Sequence, residues 1–171
     1  GQQNPLALAY NKNNSVSDYH QVLNSKDIGA KCIKQYECAR LSDGGTCIII
    51  VSKKFIIDHN INLKNCFEII GGGESVNSWN HSLYLNENTN YKNYSLFHAF
   101  KQAYESANIK NTNILNEIYW FGLYDCFPIV FLLSLIASKI CTIENVGNFI
   151  ENEYNNYYNN DTIIKNRINT Q

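Results

Sequence analysis

Charge is scarce in this chain: Asp, Glu, Lys and Arg make up 17% of its 171 residues, where globular domains carry about 25%. Asn, Ser and Tyr must build much of the surface instead. What charge there is nearly cancels, 14 basic residues against 15 acidic ones for a formal net of −1, and no basic stripe gathers anywhere. Such a balance supplies no long-range field for nucleic acid or an anionic membrane surface. Metal-ligand spacing is missing as well. The six cysteines, Cys32, Cys38, Cys47, Cys66, Cys126 and Cys141, contain no Cys-x-x-Cys pair, and the four histidines are scattered. Four of the cysteines lie in or beside apolar runs, where a thiol behaves as a small hydrophobe. They read as reduced thiols of an intracellular protein, with disulfides or zinc as the alternative.

No apolar stretch runs unbroken for the length of a membrane span. Residues 119–140 come closest, but Gly122, Asp125, Pro128 and Ser134 interrupt them, and a strand followed by a helix explains the pattern better. Gly1-Gln2-Gln3 is neither charged nor apolar, so no signal peptide is read there. The chain opens without methionine, as after a cut at its N-terminus, and Asn169-Thr170-Gln171 is no address signal. Cytosol, mitochondrion and peroxisome all stay open. The length and a hydrophobic content of 44% suit one domain with a real core, or a piece of something larger.

Proline occurs twice, and Pro128 marks the stretch around which the rest is organised. Before it, residues 118–123 are short, aromatic and apolar, as a buried strand reads. After it, residues 129–140 are apolar almost throughout, and proline is favoured in a helix's first turn because its missing N–H would be unsatisfied there anyway. Tyr124, Asp125, Cys126 and Phe127 thus fall where a strand ends and a helix begins. In α/β proteins ligands bind at that place.

The remaining elements follow in order. Residues 15–23 predict a short helix capped by Ser15 or Ser17, with Val16, Tyr19, Val22 and Leu23 on one face. Thr46 to Ser52 is a β-branched run expected as a strand buried on both faces. Residues 53–64 fit a short helix and loop, and Cys66 to Ile70 a second strand closed by Gly71-Gly72-Gly73. Residues 74–93 are polar and long for a loop. A helix is predicted over 95–107 with Ser95 as cap and Asn108 in a left-handed C-cap, and an amphipathic one over 143–153. The succession strand, strand, helix, strand, helix implies an α/β layered domain whose sheet lies between helices, the apolar helix after Pro128 being sandwiched.

Most single motifs have plain readings. Gly71-Gly72-Gly73 lacks the Lys-Ser/Thr of a phosphate loop. His98, among Phe97, Ala99 and Phe100, reads as a core histidine, while His59 and His81 fall in polar loops. Tyr124-Asp125-Cys126 admits a nucleophilic thiol at a helix N-terminus. Without a general base fixed nearby, chemistry alone favours Cys126 packing, Asp125 capping the helix and Tyr124 donating a hydrogen bond.

Taken together, the motifs fall in an order that resembles the thiolases, in particular the sterol-carrier-protein type and its thiolase-like relatives, over nearly the whole chain. Asn4-Pro5 with its short helix looks like the end of that family's loop region. Arg40-Leu41-Ser42-Asp43-Gly44-Gly45 and the run to Ser52 are similar to the Ser-Asp-Gly-Ala-Ala strand that opens its C-terminal half. Phe67 to Gly73, the helix ending in Asn108-Ile109, Tyr124-Asp125-Cys126-Phe127 with Leu132-Leu133, and Ile140-Cys141 follow in the family's order.

The resemblance implies a layered thiolase-like fold, a mixed sheet with buried helices that is incomplete in this chain. Residues 1–40 would be the loop-region tail and 41–171 a partial C-terminal domain. It further implies Claisen condensation or thiolytic cleavage of 3-oxoacyl-CoA, with a coenzyme A thioester as substrate and no other cofactor. Tyr124 stands where the family has His or Asn holding an oxyanion-hole water, with Asp125, Cys126 and Phe127 lining the site. Phe131 and Ile136 replace a usual Glu, and Lys139 a usual Gly. The nucleophilic Cys, and the Gly-His-Pro and Cys-x-Gly motifs, would belong to sequence outside this stretch. The implied partners are acyl-CoA, the remaining half of the fold and, by analogy, a second copy in a homodimer. A non-catalytic thiolase-fold acyl-CoA-binding or scaffold protein is the competing reading, and an unrelated small α/β domain with a complete sheet is a third.

Overall fold

The computed structural model describes residues 19–28, 30–39, 43–76, 94–110, 113–156, 163 and 167–169. The N-terminal helix α1 (Tyr19–Asn24) forms over the C-terminal part of the expected segment; Ser15, Val16 and Ser17 lie outside the described residues. Strands β1 (Asp27–Ile28) and β2 (Ala30–Lys34) pair antiparallel. Lys34 closes this hairpin through a 2.6 Å ion pair with Asp27. A 3₁₀ turn, Gln35–Glu37, follows, and the Glu37 carboxylate accepts from the Lys34 N–H.

The two apolar runs expected to be buried strands are where the structure departs furthest from the sequence reading. Residues 43–51 and 66–76 form no ladder among the described residues, and Ile49 is 84% exposed. Ile48, Ile50, Phe67, Ile69 and Ile70 are exposed too. Alternate side chains of a strand face opposite ways, so exposure of three consecutive isoleucines means that neither face is covered. A β-branched run shows that a segment suits a buried strand, but not that its partner lies in the same stretch of chain. Between the runs, α2 (Lys53–Asp58) and a 3₁₀ turn, Leu63–Asn65, match the expected short helix and loop. The Ser52 hydroxyl caps α2 by accepting from the Phe55 N–H at 3.1 Å.

Helix α3 (Ser95–Ser106) spans the predicted range, but Ser95 is its first residue and Tyr94 the N-cap. Asn108 takes φ 56°, the expected left-handed conformation after the C-cap Ala107. His98 is exposed, against the core reading. The core-facing side of α3 runs through Phe100 and Tyr104, and residues 98 and 100 lie about 200° apart around a helix.

The three glycines after the second apolar run pack on α3. A Cβ on Gly73 would sit 2.1 Å from the Ala99 carbonyl oxygen, and one on Gly71 would sit 2.8 Å from Ala107 Cβ. Ala99, Ala103 and Ala107 recur every fourth residue, so a helix face without bulk meets a segment without side chains. The Ser106 hydroxyl donates to the Gly72 carbonyl at 3.0 Å and accepts from the Gly72 N–H at 2.9 Å, and Gln102 Oε1 accepts from the Glu74 N–H at 3.1 Å. Gly73→Ala is therefore expected to weaken this docking by about 1–3 kcal/mol. Hydrogen exchange at the Gly72 and Glu74 amides should accelerate while Tyr104 stays protected; unchanged exchange would contradict the close approach.

Among the described residues, the buried core cluster comes from after residue 100: Tyr104, Ile114, Phe121, Leu123, Leu135, Cys141 and Ile168. A 3₁₀ turn, Ile114–Asn116, leads into β3 (Phe121–Gly122), the ladder-forming part of the expected strand. Helix α4 (Pro128–Ala137) begins at Pro128 as predicted and α5 (Val146–Asn156) follows. Strand β4 (Ile168–Asn169) then pairs parallel with β3, Phe121 opposite Ile168 and Gly122 opposite Asn169. The chain is thus of α/β character, with helices predominant. Leu135, fully buried on α4, lies at the centre, while Ile129 on its first turn is exposed, so the sandwiching expected of α4 is partial.

The end of α4 carries a backbone irregularity at Lys139. Lys139 adopts φ 61°, in the left-handed region favouring glycine, and its Nζ lies 5.7 Å from the Tyr104 ring centroid. Lys139→Gly should be more stable than Lys139→Ala by about 1 kcal/mol. Both lose the cation, so their difference in thermal midpoint isolates the backbone; equal midpoints would contradict a strained Lys139.

Candidate functional site

The site is built by the parallel pair and the turn that leaves it. Leu123 fills the core and fixes the end of β3, turning Tyr124 out to 60% exposure. Asp125, Cys126 and Phe127 are half-buried. Phe127, with φ −139° and ψ 149°, is the N-cap of α4 and Pro128 its first residue. Asp125 is consequently not the cap, against the packing reading. The Val130 N–H is taken by the Phe127 carbonyl at 3.0 Å, and Pro128 has no N–H to give. Few backbone donors remain at this helix start, which leaves the Tyr124 phenol as the conspicuous one.

The phenol is held above its usual value of 10.0, first by hydrogen bonding with the Cys126 side chain, then by the nearby charge of Cys126, slight burial and the Asp125 carboxylate. Each of these favours the protonated form, so at neutral pH Tyr124 is a hydrogen-bond donor rather than a base.

A contact that the sequence does not announce ties the N-terminal hairpin to this turn. The Ala39 N–H donates to the Cys126 carbonyl at 3.0 Å. Cys38 lies beside it, half-buried, its thiol 3.7 Å from the Lys34 carbonyl. No local pattern marks a pairing between residues so far apart.

Phe131 and Ile136, where a Glu was the family expectation, pack against the core as partly buried apolar side chains. Tyr104 and Ser138 support the same helix from behind: the Tyr104 hydroxyl donates to the buried Ser138 carbonyl at 2.9 Å. No local sequence pattern marks Arg167 as a structural residue. Its Nε donates to the Tyr119 carbonyl at 2.9 Å, and one terminal nitrogen to the Leu115 carbonyl at 2.7 Å and to the Ile118 carbonyl. The guanidinium therefore binds the chain entering β3 to the chain entering β4.

Among the described residues no group of three or more His, Cys, Asp or Glu side chains could hold a metal ion, and no helix is long and apolar enough to cross a membrane. The five cysteines whose side chains are described, Cys38, Cys47, Cys66, Cys126 and Cys141, are free thiols.

No family model matches the sequence, and no curated protein matches it. Among solved structures the chain is similar to one described as "Ltp2-ChsH2(DUF35) aldolase", with a TM-score of 0.63 and 22% sequence identity. The similarity covers 99% of this chain and 40% of that one. The likeness is one of fold, and the chain spans 40% of that neighbour's length.

Proposed function

We propose that the chain is part of a thiolase-like acyl-CoA acyltransferase, making or cleaving 3-oxoacyl-CoA by Claisen chemistry, with Tyr124 at the oxyanion position. The observation that carries this reading is the exposed, protonated phenol at the carboxyl end of a parallel strand and the start of α4. A thioester enolate develops negative charge on oxygen, and a fixed donor there lowers the barrier. The fold likeness supports the reading: the neighbour's description names an aldolase, and aldol and Claisen reactions both pass through an enolate or its equivalent. In this reading residues 1–40 are the loop-region tail, 41–171 a partial C-terminal domain, and Asp125, Cys126 and Phe127 line the acyl-CoA site.

The uncovered runs 46–51 and 66–70 fit the same assignment. They need sheet neighbours and helical layers, which the remaining half of the fold would supply, and the 40% span of the neighbour's chain leaves room for such a half. The catalytic thiol and the Gly-His-Pro and Cys-x-Gly groups are then outside this stretch. Dimerisation rests on analogy to the family.

One observation favours the competing reading of a non-catalytic acyl-CoA-binding or scaffold protein. Phe131 and Ile136 serve the core where a Glu would serve catalysis. The two readings part on a single substitution. In the polypeptide with both halves of the fold, Tyr124→Phe should lower thiolysis of acetoacetyl-CoA about 100-fold with unchanged stability. Unchanged turnover would remove the oxyanion role, and acyl-CoA binding without any turnover in the parent would favour the binder.

A further inference from the structure

The backbone next to Cys38 meets that of Cys126, through the Ala39 N–H and the Cys126 carbonyl, although 87 residues of chain lie between the two cysteines. We propose that they form a reversible disulfide under oxidation, a thiol switch set beside Tyr124. The Ala39 N–H to Cys126 carbonyl bond of 3.0 Å brings the two α-carbons within about 8 Å by standard backbone dimensions. Disulfides span α-carbon separations up to nearly 7 Å, so a small shift of the 35–39 turn suffices.

The surroundings permit that shift. Both cysteines are half-buried, neither sealed in the core. Cys38 gives up only a long sulfur contact of 3.7 Å to the Lys34 carbonyl. The hairpin that precedes Cys38 is held together internally by the Lys34–Asp27 ion pair and the bond from the Lys34 N–H to Glu37. Cys141 offers a contrast: it is buried in the core, and burial pushes its thiol up to about 11, which makes it inert.

The oxidant is a hydroperoxide. One thiolate attacks a peroxide oxygen, giving a sulfenic acid and releasing water; the second thiol displaces the sulfenic oxygen as a second water and the S–S bond closes. The two thiols together lose two electrons and two protons, and hydrogen peroxide becomes two waters. Small dithiols reverse the step. Closure consumes the Cys126 thiol, the first of the groups that hold the Tyr124 phenol above its usual value. Any effect on acyl transfer rests on the role proposed for Tyr124; the disulfide itself does not.

Peptide mapping tests the pair directly, because each of the six cysteines falls in a different tryptic peptide, Cys38 in 35–40 and Cys126 in 111–139. After treatment with hydrogen peroxide and alkylation of remaining thiols, the expected product is 35–40 joined to 111–139, lost on reduction with dithiothreitol. Cys38→Ser and Cys38→Ala should both abolish the link and leave Cys126 open to alkylation. Cys126 recovered fully alkylated, as a sulfinic acid, or joined to another cysteine would overturn the proposal. A link that forms while turnover of an active preparation stays unchanged would uphold the disulfide and count against the oxyanion role of Tyr124.

Discussion

Truncating Arg167 to alanine is expected to cost about 3 kcal/mol and to loosen the parallel β3–β4 pair. Hydrogen bonds from charged donors contribute about 1.5–3 kcal/mol each, and Arg167 makes three to the carbonyls of Leu115, Ile118 and Tyr119. The site is half-buried, so water replaces part of what is lost, which brings the sum down to that figure. The guanidinium also faces the Tyr119 ring at 5.7 Å, a contact worth about 0.5–1 kcal/mol where exposed. Lysine keeps the charge but not the planar fork, and its single ammonium cannot meet three divergent carbonyls. Arg167→Lys should therefore recover less than half of the loss. A urea midpoint read together with amide exchange at Phe121 and Gly122 checks both claims. An unchanged midpoint in Arg167→Ala would show that the ladder stands without its clamp.

Alkaline solution should destabilise the C-terminal core between pH 9 and pH 12. Burial pushes the Tyr104 phenol from 10.0 to about 12 and the Cys141 thiol from 9.0 to about 11. Below pH 9 both groups are protonated whether the chain is folded or not, and stability does not depend on them. Above it the unfolded chain releases its protons first, so stability falls as pH rises and is lost in full once the folded values are passed. Each displacement is worth at most about 2.7 kcal/mol. Solvent screening at the core edge reduces that, leaving roughly 2–4 kcal/mol for the two together. Tyr104→Phe should flatten the decline above pH 10 while costing about 1 kcal/mol at neutral pH, because the buried Ser138 carbonyl loses its donor. A urea midpoint that does not change from neutral pH to pH 12 would contradict the burial of both groups.

Local signals made much of the fold legible. Pro128 marked the start of α4, the spacing in 95–107 marked α3, and Asn108 marked its left-handed end, each because the cause lies within a few residues of the effect. The turn at Tyr124 was found on the same ground. Errors arose where the cause is distant. His98 has apolar neighbours in sequence, yet its position around the helix turns it to solvent. The isoleucines of 46–51 were judged by their own preference, although burial depends on what lies opposite. The Ala39–Cys126 bond and the Arg167 clamp join residues far apart in the chain, and no periodicity encodes them. Gly71-Gly72-Gly73 lies against the alanine face of α3, a packing role that no local pattern encodes.

The bare run Thr46 to Val51 has a further consequence for how the protein is made. Six residues of high β-propensity, without charge or proline, are the pattern that self-assembles into stacked sheets. Asp43 on one side and Lys53 and Lys54 on the other are charges placed where gatekeepers are found, and they slow such stacking without abolishing it. While the run is uncovered, every copy of the chain presents it to every other copy. Aggregation through it is at least second order in chain, whereas folding within one chain is first order, so a low rate of synthesis favours the native outcome.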